Sequence, residues 1–289
     1  MITEESLPVS FHSVAIDYYL PLASFIVKWT TNKTVRSPLI VGVNGAQGTG
    51  KSTLSKVLAL ALENKHQLKT AILSIDDIYL TQQERIDLSN TVHPLLRTRG
   101  VPGTHDIHLG IDIIKKLKAH QPVSLPVFSK ATDDRALKED WITCTEPVDI
   151  ILFEGWCIGA IPEPEAALTE PCNSLEANED SNAVWRTFAN THLERSYAEM
   201  FELMDYLVML KAPNFECVYD WRSTQEEKLR KRSSGHDNDG IMDDDQIQRF
   251  IMHYERITRW MFKEMPSRAD CVLELNSQHN ITKATYSRS

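Results

Sequence analysis

The sequence has only five cysteines, at 144, 157, 172, 217 and 271, and no two of them form a C-x-x-C pair. A scattered, odd set argues against a disulfide framework or a cysteine-rich zinc site and fits a reducing compartment. No apolar run is long enough to span a bilayer, and the longest near the N-terminus, YYLPLASFIV, is interrupted by Pro21. Basic charge is not in excess: 31 Lys and Arg stand against 40 Asp and Glu, a formal net charge of −9. A phosphate-reading nucleic-acid surface needs dense cations, so nucleic acid is not an expected partner. The opening MITEESLPVS is acidic and does not read as a signal or transit peptide. There is no internal repeat and no low-complexity tract. The expectation is a soluble, cytoplasmic protein with neither a membrane nor a nucleic-acid partner.

What is present is a chain of 289 residues with 42% hydrophobic content, enough to bury a large core in one large or two small domains. Residues 9–30 have amphipathic helical spacing. Continuous apolar runs with β-branched residues, LIVGVN (39–44), TAILSI (70–75) and VDIILFEG (148–155), read as buried strands. DYLVMLKA (205–212), CVLEL (271–275) and VSLPVF (123–128) read as further strands. Helical patterns cover 51–64, 106–120, 184–204, 214–232 and 243–264. Alternating strands and helices predict an α/β fold, with a mainly parallel sheet covered by helices on both faces. Two stretches read as irregular: the acidic, proline-bearing 162–180, and RKRSSGHDNDG at 230–240.

The stretch GVNGAQGTGKST (42–53) lies between the first strand and the helix that follows it. It fits G-x-x-x-x-G-K-[ST] through Gly45, Gly50, Lys51 and Ser52. Those four fixed positions arise by chance in roughly one chain of this length in a hundred, and the strand before and helix after sharpen the match. Glycines let successive backbone N–H groups turn inward around a phosphate. The helix starting at Lys51 adds its positive end. Lys51 is suited to the β- and γ-phosphates, and the Ser52 hydroxyl to Mg²⁺. The loop residues Gly45, Gln47, Gly48, Thr49, Gly50, Lys51, Ser52 and Thr53 are therefore the candidate ATP contacts. A strand-to-helix turn that merely needs glycine would not require the lysine and hydroxyls as well.

Other motifs narrow the class. A guanine-reading N-K-x-D is missing, because NKTV (32–35) precedes the loop and lacks the aspartate. Asp237 and Gly240 fit D-x-x-G, but far from any strand end. The strand at 148–155 ends in a single carboxylate, Glu154, and no L-S-G-G-Q occurs, which argues against a transport ATPase. A small-molecule kinase needs a base for the acceptor hydroxyl beside the γ-phosphate. LSIDDIYL (73–80) offers Asp76 and Asp77 at the end of the strand after the loop, where ligands of open parallel sheets collect. Neighbouring strand residues face opposite ways, so one of the two would face the phosphates, leaving the other free to cap a helix.

GAQGTGKST, SIDDIYL, RTRGVPGTHD and FEGWCIG, in that order, resemble the D-glycerate 3-kinase family. Its relatives are the uridine kinases, phosphoribulokinases and bacterial pantothenate kinases. VYDWRSTQEEKLR (218–230), HYERITRWM (253–261) and ADCVLEL (269–275) extend the resemblance over about residues 38–276. It implies a P-loop kinase domain over 1–289: N-terminal helix and linker at 1–37, core at 38–276, and a lid at about 228–242. The implied cofactors are ATP and Mg²⁺. The resemblance makes Asp76 the general base, with Lys51 beside it in catalysis, and puts Ser52, Asp76 and Glu154 at the metal. It places Tyr79, Arg99, His105, Asp106, Lys130 and Arg135 at the acceptor, and Lys228, Arg230 and Arg232 in the lid. The favoured acceptor is D-glycerate, whose carboxylate calls for an Arg or Lys partner. The alternatives are another small alcohol, nucleoside or pantothenate-like, or a regulatory ATP-binding protein with no acceptor. Phe128-Ser129-Lys130 departs from the relatives' Asp-Lys after P-x-[FY]. Arg99, His105, Lys130 and Arg135 also fit a solvated scatter of charge, and Arg230–Arg232 a solvated helix end. Trp156 also fits packing on the sheet, and Trp221 fits the core better than a site.

Overall fold

A computed structural model describes residues 11–33, 37–232 and 242–287, apart from the side chains of residues 225 and 228–232. The expected lid falls on 233–241 and on the side chains of Lys228, Arg230 and Arg232, so it lies outside the described residues.

In chain order the strands are β1 (Leu39–Gly45), β2 (Thr70–Ser74), β3 (Val123–Leu125), β4 (Phe128–Ser129) and β5 (Asp134–Arg135). Then come β6 (Ile142–Cys144), β7 (Ile150–Gly155), β8 (Tyr206–Lys211), β9 (Cys271–Leu275) and β10 (Ile281–Tyr286). Six of them form one sheet in the order β10-β9-β8-β1-β7-β2. All neighbours pair in parallel except the edge strand β10, which runs antiparallel to β9.

Strand side chains alternate between faces, and the core divides accordingly. On one face Leu39, Val41, Val43, Ile150 and Leu152 meet Leu22, Ile26 and Trp29 of the N-terminal helix Leu20–Thr31. Leu54, Leu58 and Leu62 of the helix Lys51–His66 join them. On the other face Ile40, Ile151 and Phe153 meet Ile107, Ile111 and Ile114 of the helix Ile107–Lys118. Each fully buried aliphatic of this kind stabilises by about 1.5–3 kcal/mol. The result is the α/β fold expected from the sequence, with β7 between β1 and β2.

Two local expectations change. VSLPVF is not one strand: Pro126 has no N–H to donate, and the segment splits into β3, paired with β6, and β4, paired with β5. The acidic stretch 162–180 is not irregular throughout. It holds a 3₁₀ turn, Glu165–Leu168, and a helix, Ser174–Glu179. Arg256 gathers it, donating to the carboxylates of Glu163 (3.0 Å) and Glu176 (2.6 Å) and to the carbonyls of Ala167 and Glu170.

Candidate active site

The site forms at the carboxyl ends of the neighbouring parallel strands β1, β7 and β2. The register puts Glu154 of β7 level with Val43 of β1 and Ser74 of β2. The phosphate loop leaves the end of β1, the Asp76–Asp77 turn leaves the end of β2, and Glu154 stands between them. That is the crevice where open α/β sheets collect ligands.

The loop is shaped by backbone. Gly48 and Gly50 have φ of 80° and 88°, a left-handed conformation that side-chain-bearing residues avoid. A Cβ at Gly48 would also lie 2.8 Å from Cβ of Trp221, so the helix Phe215–Arg232 packs directly on the loop. Thr49, buried, turns its hydroxyl inward and donates to the carbonyl of Ala46 at 2.8 Å, bracing the turn from inside. The helix begins at Lys51, with Leu54 N–H donating to the Gly50 carbonyl at 2.9 Å. Its first-turn N–H groups and positive dipole end point into the crevice. Beside the loop, Thr49, Gly50, Thr53, His279, Asn280 and Tyr19 help to line a pocket of about 120 Å³.

Ser52 and Glu154 meet across the crevice: the serine hydroxyl donates to Glu154 Oε1 at 2.9 Å. Glu154 is 5% exposed, and its second oxygen, Oε2, is buried without a hydrogen-bond partner. A buried carboxylate oxygen with nothing to bind, next to a hydroxyl and a phosphate loop, suits a hard cation. Among the described residues no cluster of three His, Cys, Asp or Glu ligands forms. The orphaned Glu154 oxygen beside the Ser52 hydroxyl suits Mg²⁺, which takes one or two protein carboxylates and fills its shell with water and phosphate oxygens.

Asp76 and Asp77 lie in a single 3₁₀ turn, Ile75–Asp77. Asp76 turns to the crevice. Its Oδ1 accepts the Tyr79 hydroxyl at 2.7 Å, and its Oδ2 stands 3.6 Å from Lys130 Nζ. Burial pushes its pKa upward, but Lys130, Lys51 and the Tyr79 hydrogen bond outweigh it and hold the carboxyl below its usual range. Asp77 turns away. It caps no helix; its Oδ1 accepts the N–H of Phe128 at 3.1 Å and anchors β4. Burial, with Asp76 and Glu154 nearby, raises it to about 6 despite that hydrogen bond. The cap of the helix Gln82–Thr91 is Thr81, in a capping box with Glu84.

Of the residues expected at the acceptor, Tyr79, His105 and Lys130 stand near Asp76, and most of the set is already engaged. Tyr79 is 3% exposed, stacked on His105 at 4.6 Å and edge-on to Phe128 at 5.0 Å, so its contact is with Asp76 and the core. His105 is buried, bonded to the Tyr197 hydroxyl, and kept neutral by burial, with its pKa lowered to about 3. Arg99 pairs with Asp133 and lies over the Phe128 ring at 5.4 Å. Asp106 caps the helix Ile107–Lys118 through Leu109 N–H at 3.0 Å, and Arg135 reaches both Asp106 and Glu84 at 3.2 Å. Lys130, with a side chain 67% exposed, is the most open cation of the group.

Three aromatic side chains outside the expected set hold the loop after Arg99. Tyr254 donates to the Arg99 carbonyl at 3.0 Å, Trp156 to the Gly100 carbonyl at 2.9 Å, and Tyr197 accepts Gly103 N–H at 3.1 Å. Trp156 and Trp221 are both buried, and each also has a loop contact: Trp221 donates to the Ser277 carbonyl at 3.3 Å.

No protein-family model matches the sequence. The chain is 31% identical over 227 residues to the uncharacterised kinase mug58 of Schizosaccharomyces pombe, a match spanning 75% of this chain and 78% of that protein. It is 28% identical over 243 residues to the chloroplastic D-glycerate 3-kinase of Arabidopsis thaliana, covering 81% of this chain and 50% of that protein. The chain thus spans half the length of that plant relative. Among solved structures, D-glycerate 3-kinase from Cryptococcus neoformans superposes with a TM-score of 0.78 at 26% identity, covering 93% of this chain and 98% of that one. With the phosphate loop between β1 and its helix, and carboxylates at the ends of β2 and β7, the chain belongs to the P-loop small-molecule kinase family.

Proposed function

We propose that the protein transfers the γ-phosphoryl group of ATP to a hydroxyl of a small hydroxy acid, with D-glycerate favoured. The observation that carries this reading is the position of Asp76. It is an ionised carboxylate beside the phosphate loop that feels both Lys51 and Lys130. Lys51 and the loop N–H groups hold the phosphates, and the pocket of about 120 Å³ beside Thr53 receives the nucleoside. Ser52, Asp76 and Glu154 would hold Mg²⁺, which neutralises charge on the phosphates when bound. Asp76 orients the acceptor hydroxyl and takes its proton. The hydroxyl oxygen bonds to the γ-phosphorus, the bond from that phosphorus to the β–γ bridging oxygen breaks, and ADP leaves with the electron pair. Lys130, Arg99 and Arg135 supply the positive side that an acceptor carboxylate needs. Names of relatives that include D-glycerate 3-kinase support the acceptor.

The test is a panel of D-glycerate, L-glycerate, glycerol, uridine and pantothenate, each with MgATP, followed by coupled ADP release. D-glycerate should give the fastest turnover and the neutral alcohols little. Faster turnover with uridine would move the acceptor to another class. No stimulation by any acceptor would leave a nucleotide-binding regulator.

A further inference from the structure

The Asp76 carboxylate is held asymmetrically. Oδ1 takes the Tyr79 hydroxyl at 2.7 Å, while Oδ2 looks toward Lys130 at 3.6 Å. Tyr79 is 3% exposed, so solvent and acceptor are kept from its ring. His105 stacks on one side of that ring and Phe128 meets it edge-on. The backbone is stitched as well: Tyr79 bridges to His105, Leu80 N–H donates to the Thr104 carbonyl at 2.9 Å, and Asp106 N–H donates to the Ile78 carbonyl at 2.7 Å. Behind His105, the Tyr197 hydroxyl holds Nδ1 and accepts Gly103 N–H at 3.1 Å. A tyrosine serving only the core has no need to aim its hydroxyl at a carboxylate beside a phosphate loop.

We propose that Tyr79 is a positioning residue for Asp76. Its hydroxyl fixes Oδ1, so that Oδ2 is the oxygen presented to the acceptor, and His105, held by Tyr197, fixes the Tyr79 ring. The inference rests on the role given to Asp76 above. In the transfer step the proton passes from the acceptor hydroxyl to Oδ2. Without the Tyr79 hydroxyl the carboxylate rotates about its terminal torsion, which is broad for aspartate. The attack geometry is then lost in a fraction of encounters, while the phosphate loop is untouched.

The experiment is a double-mutant cycle on the full chain, using the acceptor that wild type turns over fastest. Tyr79→Phe removes one oxygen and keeps the ring. It should lower kcat by about 10- to 100-fold, the scale of a misplaced reacting group, and leave the KM for ATP unchanged. The double variant Tyr79→Phe/Asp76→Asn should be no slower than Asp76→Asn alone, because a residue that acts through Asp76 has nothing left to position. Tyr197→Phe should show a smaller loss with the same non-additivity, and serves if Tyr79→Phe does not fold. Wild-type kcat in Tyr79→Phe, or losses that multiply in the double variant, would overturn the positioning role alone. Wild-type turnover in Asp76→Asn would overturn the base assignment, and this inference with it.

Discussion

Between Gly45 and Thr53 the site is made of backbone, whereas between Asp76 and Arg135 it is made of paired side chains. On the nucleotide side two glycines with positive φ and a helix start do the shaping, and few side chains matter beyond Lys51 and Ser52. On the acceptor side nearly every charge has a partner: Arg99 with Asp133, Arg135 with Asp106 and Glu84, Arg85 with Asp133, and Asp76 with Tyr79. A phosphate can be held by oriented N–H groups that any residue supplies. A specific acceptor must be met by side chains of the right charge, and those must be held in place before it arrives. The two halves should therefore fail differently.

The largest effect should come from the nucleotide side. If Lys51 stabilises the transferring charge as proposed, Lys51→Ala should lower turnover roughly 10²- to 10³-fold. MgATP should also lose most of its stabilisation of the fold, read as the shift in Tm on adding nucleotide. An unchanged shift with unchanged turnover would put the phosphates elsewhere.

Asp76→Asn should separate the halves. ATP-induced stabilisation should persist while kcat falls about 10²-fold or more, the scale of a lost general base. Asp77→Asn should cost much less in kcat, because Asp77 is engaged by the N–H of Phe128. Equal losses would show that the two carboxylates share the work.

Arg99→Ala should act on the acceptor side alone. Its guanidinium is partly engaged by Asp133, so the expected cost is about 2 kcal/mol, roughly 30-fold in kcat/KM for D-glycerate. The KM for ATP should not change. A similar loss with glycerol as acceptor would mean that Arg99 supports the loop rather than binding a carboxylate.

The legible half is the backbone half. Gly45, Gly50, Lys51 and Ser52 are readable because spacing alone specifies a turn, a helix start and a phosphate. The strand that carries Glu154 is readable because a strand buried on both faces is a continuous apolar run. The acceptor half is less so. A lone Arg99 or Arg135 gives no sign in the sequence of whether it meets a ligand or an aspartate, since Asp133 and Asp106 reach them only through the fold. Tyr79 reads as an acceptor contact until its burial is seen, and Asp77 reads as a helix cap until Phe128 is found on it. The edge strand β10, ITKATY, alternates weakly and follows the point where the family resemblance ends.

The smallest predicted effect concerns stability and turns on Asp77. Its folded pKa, raised to about 6, lies above the ordinary carboxylate value of about 3.9. The fold therefore favours its protonated form. That contribution is present below pH of about 4 and is lost as pH rises through 6. Asp77→Asn keeps an oxygen for Phe128 N–H and cannot ionise. Without nucleotide or metal it should raise Tm at pH 8, and the gain should vanish by pH 4. A gain that grows toward acid would reverse the sign and show that Asp77 is stabilised as an anion.

The most direct measurement follows the phosphorus itself. ATP labelled in its γ-phosphoryl group is incubated with Mg²⁺, D-glycerate and the protein, and the products are resolved. The account predicts that the label moves to D-glycerate in step with ADP formation, and that Asp76→Asn stops the transfer while still binding ATP. Label appearing only as inorganic phosphate, or none leaving ATP with any acceptor of the panel, would contradict it.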